Sequence, residues 1–328
     1  MHKRALIVLA ALILLAVSAP DLRAQDARAQ DYPTRPITLI VPFPPGGSTT
    51  IMARIVAERM SANLGQQIVV DNRGGAGGTI GTRAAARSAP DGYTLVLGYT
   101  GTLAIGPSLY PQAGYDPRKD FAAIGLIGTA PSVLVVHPLV QARSVDELIK
   151  LAKEKGELQY GSPGVGTANH LSAALFAHQA GIKLTHIPYK GSGPAMNDLV
   201  GGHIPMMFVP IPVAHGSIAG GRVRGLAVSS IKRSALLPEL PTVAETGLPG
   251  YDVALRYGLA APAGTPRPII ERLNKELNLA LTSEDVKKRL TTEGAEAISG
   301  TPEDYAADID REEAMWSALV KQIGVRAE

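Results

Sequence analysis

Few side chains are placed for covalent chemistry. Seven histidines stand at 2, 137, 170, 178, 186, 203 and 215. None belongs to an H-E-x-x-H pair, and His170 and His178 are two helical turns apart, so a metal would need ligands from distant segments. The chain has no cysteine, which excludes a disulfide framework, a thiolate metal site and a cysteine nucleophile. Ser192 follows Lys190-Gly191 and so forms no G-x-S-x-G elbow, and no G-x-x-x-x-G-K-[ST] loop occurs. The run Gly75-x-Gly77-Gly78-x-x-Gly81 matches the dinucleotide fingerprint poorly and lacks an acidic strand end to hold a ribose; close backbone packing is the use expected of it. Glu284-Asp285 and Glu312-Glu313 read as solvated helix faces. No catalytic group, no metal and no cofactor is expected.

The chemistry on offer is non-covalent. In Leu39-Ile40-Val41-Pro42-Phe43-Pro44-Pro45-Gly46-Gly47-Ser48-Thr49-Thr50 an apolar run ends in prolines and glycines, then hydroxyl residues open an amphipathic stretch. Met52, Val56 and Met60 recur every four residues, with Arg54 and Glu58 on the other side, so the period is helical. Ser48, Thr49 and Thr50 each offer an N-cap hydroxyl. The first turn of a helix carries unpaired N–H groups and about half a positive charge, and no acid in the loop occupies it. An anion, most simply a carboxylate, fits there; the plain alternative is a strand-to-helix turn capped by its own hydroxyls. His170, in the first turn after the glycine-rich residues 161–167, reads either as a guest contact or as a capping and packing residue. Lys190 is a counter-charge or a solvated turn residue.

These turns need elements to hold them. Strand patterns at 37–41, 67–70 and 94–98 alternate with helices over 49–64 and up to 88, and 99–102 is a polar turn at a strand end. Such alternation predicts parallel strands with crossover helices, whose ligands sit beyond the carboxyl ends of strands. Residues 121–136 are nearly uncharged but broken by Gly125, Gly128 and Pro131, which predicts two strands in series. Ser144 with Glu147 forms a capping box, and Gly156 stops that helix. Strands near 158–160, 184–188, 204–209 and 223–228 build a second sheet, and 251–259 returns. Thr265-Pro266 and Thr301-Pro302 each pair an N-cap with a first helical residue; Ile269, Leu273, Leu277 and Leu281 form one stripe, and Tyr305, Ile309, Trp316 and Val320 another. The expected division is a first lobe over 32–125 and 255–328 and a second over 126–254, with two crossings as hinge and a cleft between.

The totals agree with this plan. The 328 residues suffice for two packed lobes, 45% are apolar, and 35 glycines with 25 prolines imply many turns. Residues 1–29 read as a secretion signal: His2, Lys3 and Arg4, then an apolar stretch from Ala5 to Val17, then Ala27-Arg28-Ala29 as the cleavage site, with Ala24 as an alternative cut. The stretch is short for a bilayer, and with no cysteine to carry lipid the mature protein is expected free in the periplasm. The formal net charge is +3, and Lys3, Arg4, Arg23 and Arg28 against Asp21 and Asp26 place most of it in the leader. Nucleic acid is therefore not an expected partner. With no exposed apolar seam or heptad run, a monomer is expected.

An ordered set of motifs resembles the Bug family, the TctC-like periplasmic solute receptors of tripartite tricarboxylate transporters. It comprises Tyr32-Pro33-x-Arg35-Pro36-Ile37, Val41-Pro42-Phe43-Pro44-x-Gly46-Gly47, Asn72-Arg73-x-Gly75-Ala76-Gly77-Gly78 and Ala89-Pro90-Asp91-Gly92-Tyr93-Thr94. It continues through Ser162-Pro163-Gly164-x-Gly166-Thr167-x-x-His170-Leu171, Pro188-Tyr189-Lys190-Gly191, Leu237-Pro238-x-x-Pro241-Thr242-x-x-Glu245-x-Gly247 and Ala261-Pro262-Ala263-Gly264-Thr265-Pro266. The resemblance implies an α/β type II periplasmic-binding-protein fold, two Rossmann-like lobes joined by two crossover strands, closing on a small di- or tricarboxylate or aromatic acid. It implies delivery to a membrane permease; presentation to a membrane sensor kinase, an enzyme on the same scaffold and a secreted binder of an uncharged molecule are the alternatives. Two loops would pinch one carboxylate through backbone N–H groups and waters: Phe43, Pro44, Pro45, Gly46, Gly47, Ser48, Thr49 and Thr50 from one lobe, and Ser162, Gly164, Gly166 and Thr167 from the other. Thr102, His170, Tyr189, Val209 and Pro210 would line the rest. Two departures stand out. Thr50 replaces a common acid, and Arg256 stands where many members have Trp. Turned inward, Arg256 would take a distal carboxylate bidentately; turned outward it is a surface charge, and the sequence leaves both open.

Overall fold

The apolar run over 37–41 becomes the buried strand around which the first sheet grows. The computed structural model describes residues 31–110 and 112–324; the expected secretion signal lies outside them. In chain order the elements are β1 (Ile37–Val41), α1 (Ser48–Leu64), β2 (Ile68–Asn72), α2 (Thr79–Ala86), β3 (Thr94–Tyr99), a wide helical turn over Thr100–Ile105, and α3 (Gly106–Leu109). Then come β4 (Phe121–Val136), α4 (Val145–Lys155), β5 (Leu158–Ser162), α5 (Ala168–Ala180), β6 (Leu184–Pro188), α6 (Ser192–Val200), β7 (Met206–Pro210), α7 (Ile211–Ala219) and β8 (Arg224–Val228). The chain closes with β9 (Ala254–Pro262), α8 (Arg267–Thr282), α9 (Glu284–Thr292), β10 (Glu296–Ala297) and α10 (Pro302–Ile323).

The strands run in the order β2-β1-β3-β9-β4-β7-β5-β6, with β8 and β10 also on β4. β1 pairs in parallel with β2 and β3, and β5 with β6 and β7, as the alternating pattern predicts. β9 and β4 are antiparallel insertions. β4 pairs β9 from Phe121 to Pro131, then β7 from Ser132 and β8 from Val133. The sequence predicts two strands in series here; the structure has one strand of 16 residues. Register shifts between Ala123 and Gly125 and between Leu126 and Gly128 absorb the irregularity, since glycine suits a bulge and need not end a strand.

The helix patterns pack as their stripes require. Ile269, Leu273, Leu277 and Leu281 of α8 are buried, as are Tyr305, Ile309, Trp316 and Val320 of α10. Ser144 Oγ accepts the Glu147 N–H at the start of α4, and Glu147 turns back to the Arg143 N–H at 2.7 Å. Thr301 and Asp304 close a reciprocal cap on α10. At α8 the N-cap is Pro266, because the Thr265 hydroxyl donates backward to the Pro262 carbonyl at 2.7 Å.

Gly128 marks where two backbones nearly touch: a Cβ there would lie 2.3 Å from the Glu296 carbonyl oxygen. Neither backbone can yield without breaking the β4–β10 pair. Gly128→Ala should therefore destabilise the protein by about 2 kcal/mol, seen as a lower urea midpoint. An unchanged midpoint would show that β10 is free to move.

Candidate functional site

The loop from β1 to α1 leaves its donors free. The N-cap of α1 is Gly47, no side chain caps it, and no acid lies in the first turn. The three hydroxyls expected as caps are not so used. Thr50 Oγ1 instead accepts from Asn72 Nδ2 at 2.8 Å, and the same amide group donates to the Phe43 carbonyl at 2.8 Å. That clamp from the end of β2 fixes the loop. Among the described residues the N–H groups of Gly46, Gly47, Ser48 and Thr49 meet no acceptor. Pro44 and Pro45 have none to offer. Pro44, Pro45, Gly46 and Gly47 are exposed, and Gly46 has φ 92° with open space where a Cβ would stand.

Beneath this loop lies an aromatic chain. Phe43 meets the Tyr99 ring edge-on at 5.4 Å, Tyr99 lies 5.4 Å from Tyr257, and the Tyr257 hydroxyl is 3.2 Å from Ser48 Oγ. Burial pushes Tyr257 up to about 12, against the hydrogen bond to Ser48, so it remains a neutral phenol. Gly78 fits between Thr102 and Phe43, where a Cβ would come within 2.6 Å of the Thr102 methyl. The glycine run after β2 thus serves close packing.

The loop from β5 to α5 satisfies most of its own groups. Thr167 Oγ1 accepts the His170 N–H and donates to the Gly164 carbonyl at 2.8 Å. The Gly164 N–H donates to Ser162 Oγ at 3.1 Å, and the Gly166 N–H to His170 Nδ1 at 3.2 Å. Among the described residues Val165, Ala168 and Asn169 keep N–H groups without acceptors, and α5 has no acid in its first turn. His170 stacks on His186 at 4.0 Å between centroids, and His186 Nε2 lies 2.6 Å from Ser162 Oγ. His170 therefore supports the loop from below. Tyr189 donates its N–H to the Ser162 carbonyl at 3.0 Å and its hydroxyl to Asp198 at 2.7 Å.

Both loops border the segment from Tyr99 to Tyr110. Phe43 packs on Tyr99, while the Tyr110 hydroxyl donates to the Val165 carbonyl at 3.1 Å. A Cβ on Gly101 would lie 3.8 Å from the Gly166 carbonyl oxygen, and one on Gly166 would strike Leu109.

Three expected lining residues have their side chains committed elsewhere. Thr102 is fully buried, its hydroxyl held between the Tyr99 N–H and carbonyl. Val209 points into the second apolar cluster with Val133 and Leu199. Pro210, also buried, ends β7 opposite Ser132. Of the two orientations left open for Arg256, the structure turns the side chain toward α10: its Nε lies 3.0 Å from Asp308 and its Nη1 3.1 Å from Glu312. Strand alternation gives the other face of β9 to Tyr257. Arg256 is not a bare surface charge either, since Arg311 also bonds Asp308 and Trp316 Nε1 donates to Glu312 at 3.2 Å. The clamp Asn72, the aromatic pair Tyr99 and Tyr257, and the supports His186 and Asn169 were missed by sequence reasoning. An amide side chain flanking a glycine-rich turn is the one signal in the sequence that could have found Asn72 and Asn169.

A family model described as the tripartite tricarboxylate transporter family receptor matches residues 52–325. A protein of Pseudomonas sp. (strain P51), called the UPF0065 protein in the tcbD-tcbE intergenic region, is 42% identical over 317 residues, 96% of this chain and 94% of the relative. Among solved structures, Rpa4515 of R. palustris with adipate is 37% identical with a TM-score of 0.84, over 90% of this chain and 99% of that one. MatC from Rhodopseudomonas palustris with bound malate is 33% identical with a TM-score of 0.80, over 88% and 100%. The two-lobed α/β architecture is that of periplasmic binding proteins. Among the described residues no helix is long and apolar enough to cross a membrane.

The stacked imidazoles make a measurable signature. Burial, then the charge of its neighbour His186, holds His170 down to about 3 from 6.5; burial holds His186 down to about 4. As pH falls below 6.5 the unfolded chain binds protons that the folded stack refuses, so stability declines across that window. For His170 the slope is at most about 1.4 kcal/mol per pH unit. Urea midpoints should fall between about pH 7 and about pH 5, and fall less in His186→Gln. Equal midpoints at the two pH values would mean that the folded pair takes up protons as readily as the unfolded chain does.

Proposed function

The chain belongs to the tripartite tricarboxylate transporter receptor family, and on that premise we propose that it captures a small organic carboxylate between its two lobes and delivers it to the family's membrane permease. The observation that carries this reading is the pair of helix starts, where among the described residues the N–H groups of Gly46, Gly47, Ser48 and Thr49, and those of Val165, Ala168 and Asn169, lack acceptors and the first turns lack acids. Each N–H bond to an ionised carboxylate is worth about 1.5–3 kcal/mol, and helix dipoles add a few tenths to about 1 kcal/mol apiece. Because α1 and α5 lie on different lobes, a guest touching both favours the closed form by its differential affinity. Closure is then the message that the permease reads.

The guest class follows from what the loops lack. With Arg256 held by Asp308 and Glu312, a second carboxylate would meet hydroxyls, waters and peptide groups and no free guanidinium. The neighbours solved with adipate and malate make aliphatic dicarboxylates the first guests to try. The protein acts as a binder and not as a catalyst, working in the periplasm after removal of residues 1–29.

Gly46→Val tests the reading. A branched side chain cannot hold φ 92° without strain, so the loop should turn its N–H groups away. Affinity for adipate or malate in calorimetry should fall by about tenfold or more, the equivalent of one charge-assisted bond. Retained affinity would remove this loop from the site. Failure of the unmodified protein to gain thermal stability from any mono-, di- or aromatic carboxylate would overturn the function itself.

A further inference from the structure

The first turn of α5 does more than present N–H groups. Asn169 is buried, and its Nδ2 donates to Ser132 Oγ at 2.8 Å. Ser132 is the residue at which β4 stops pairing with β9 and begins pairing with β7. Its N–H donates to Ser229 Oγ at 2.9 Å, and its carbonyl accepts the Ser229 N–H at 2.8 Å. Ser229 Oγ in turn donates to the Val253 carbonyl at 2.6 Å, while the Val253 N–H donates to the Ser229 carbonyl at 2.8 Å. Val253 immediately precedes β9, the other crossing strand.

The two strands that join the lobes are thus tied to each other through Ser132, Ser229 and Val253, and one side chain reaches this knot from the guest loop. Resting on the function proposed above, we infer that Asn169 is a positioning residue that couples occupancy of the second loop to the hinge. Its backbone N–H faces no acceptor among the described residues, whereas its side chain is bonded to the crossing strand. A guest held by the first turn of α5 fixes the Asn169 main chain, and the amide passes that restraint to Ser132. All these side chains are buried, so water does not compete for the bonds and the linkage is stiff. An alanine at 169 would leave the N–H donor intact but would cut the connection.

The chain has no cysteine, so labels can be placed cleanly at Lys119→Cys and Lys150→Cys, exposed positions on the two lobes. In this background Asn169→Ala should weaken adipate binding about tenfold, through faster dissociation, and should abolish the adipate-induced narrowing of the spin-label distance distribution. Ser132→Ala should do the same, and the double variant should be no worse than either single one. Wild-type affinity with wild-type narrowing in Asn169→Ala, or effects that multiply in the double variant, would overturn the inference. If Asn169→Ala does not fold, Ser132→Ala alone decides by the same readouts. If the unmodified protein binds no carboxylate, the proposed function fails, and the guest-free distances decide this point. A broader distribution in the variant supports the coupling, and an identical one refutes it.

Discussion

Holding an anion without a cation imposes a demand on the backbone. Peptide N–H groups seek partners, and a buried one left alone is costly. A loop that offers several must keep them apart from its own carbonyls while being too rigid to fold back on them. The loop after β1 meets this with two prolines that contribute no donor, two glycines that open the path, and Asn72, whose amide holds the Phe43 carbonyl and the Thr50 hydroxyl together. The loop after β5 meets it differently. Ser162, Thr167 and His170 consume the bonds at Gly164 and Gly166, which leaves Val165 and the first residues of α5 open. Side chains that look like ligand contacts are in this sense the builders of a backbone surface.

The same logic explains the cation that the loops do not use. Arg256 lies on a crossing strand, and a free guanidinium there would compete with the neutral donors for any anion entering the cleft. Asp308 and Glu312 hold it on the α10 side. Burial, and to a lesser degree the charge of Asp308, pushes the Glu312 carboxyl up, and Arg256 acts against that shift. Removing one partner from such a pair is far more damaging than its net contribution suggests. The cluster therefore keeps α10 seated on β9, while Tyr257 on the other face of that strand packs against Tyr99 and reaches Ser48.

Much of this was legible in the sequence. Apolar periodicity located the strands and helices, because burial of Leu273 or Trp316 is a local pattern with a local signature. The proline and glycine turns marked both loops, since only those residue types allow such paths. Side-chain direction was less legible. Whether His170 faces guest or core depends on His186, which lies on β6, and Arg256 depends on acids some fifty residues on. Nor does a helix pattern tell which of Gly47, Ser48, Thr49 and Thr50 becomes the cap. The continuity of β4 escaped notice because glycine punctuates a strand and bulges it by the same freedom. The family motifs supplied the order of the pieces, and long-range packing supplied their orientation.

The sheet that β1 to β3 begin is completed by strands and helices drawn from the far end of the sequence. β9 is the neighbour of β3, and α8 and α10 cover β4. During synthesis, then, the edge of β3 stays open until residues beyond 254 have emerged, although β5 to β8 can already associate. A chain halted partway would display a bare strand edge and would be a ready target for chaperones or for self-association.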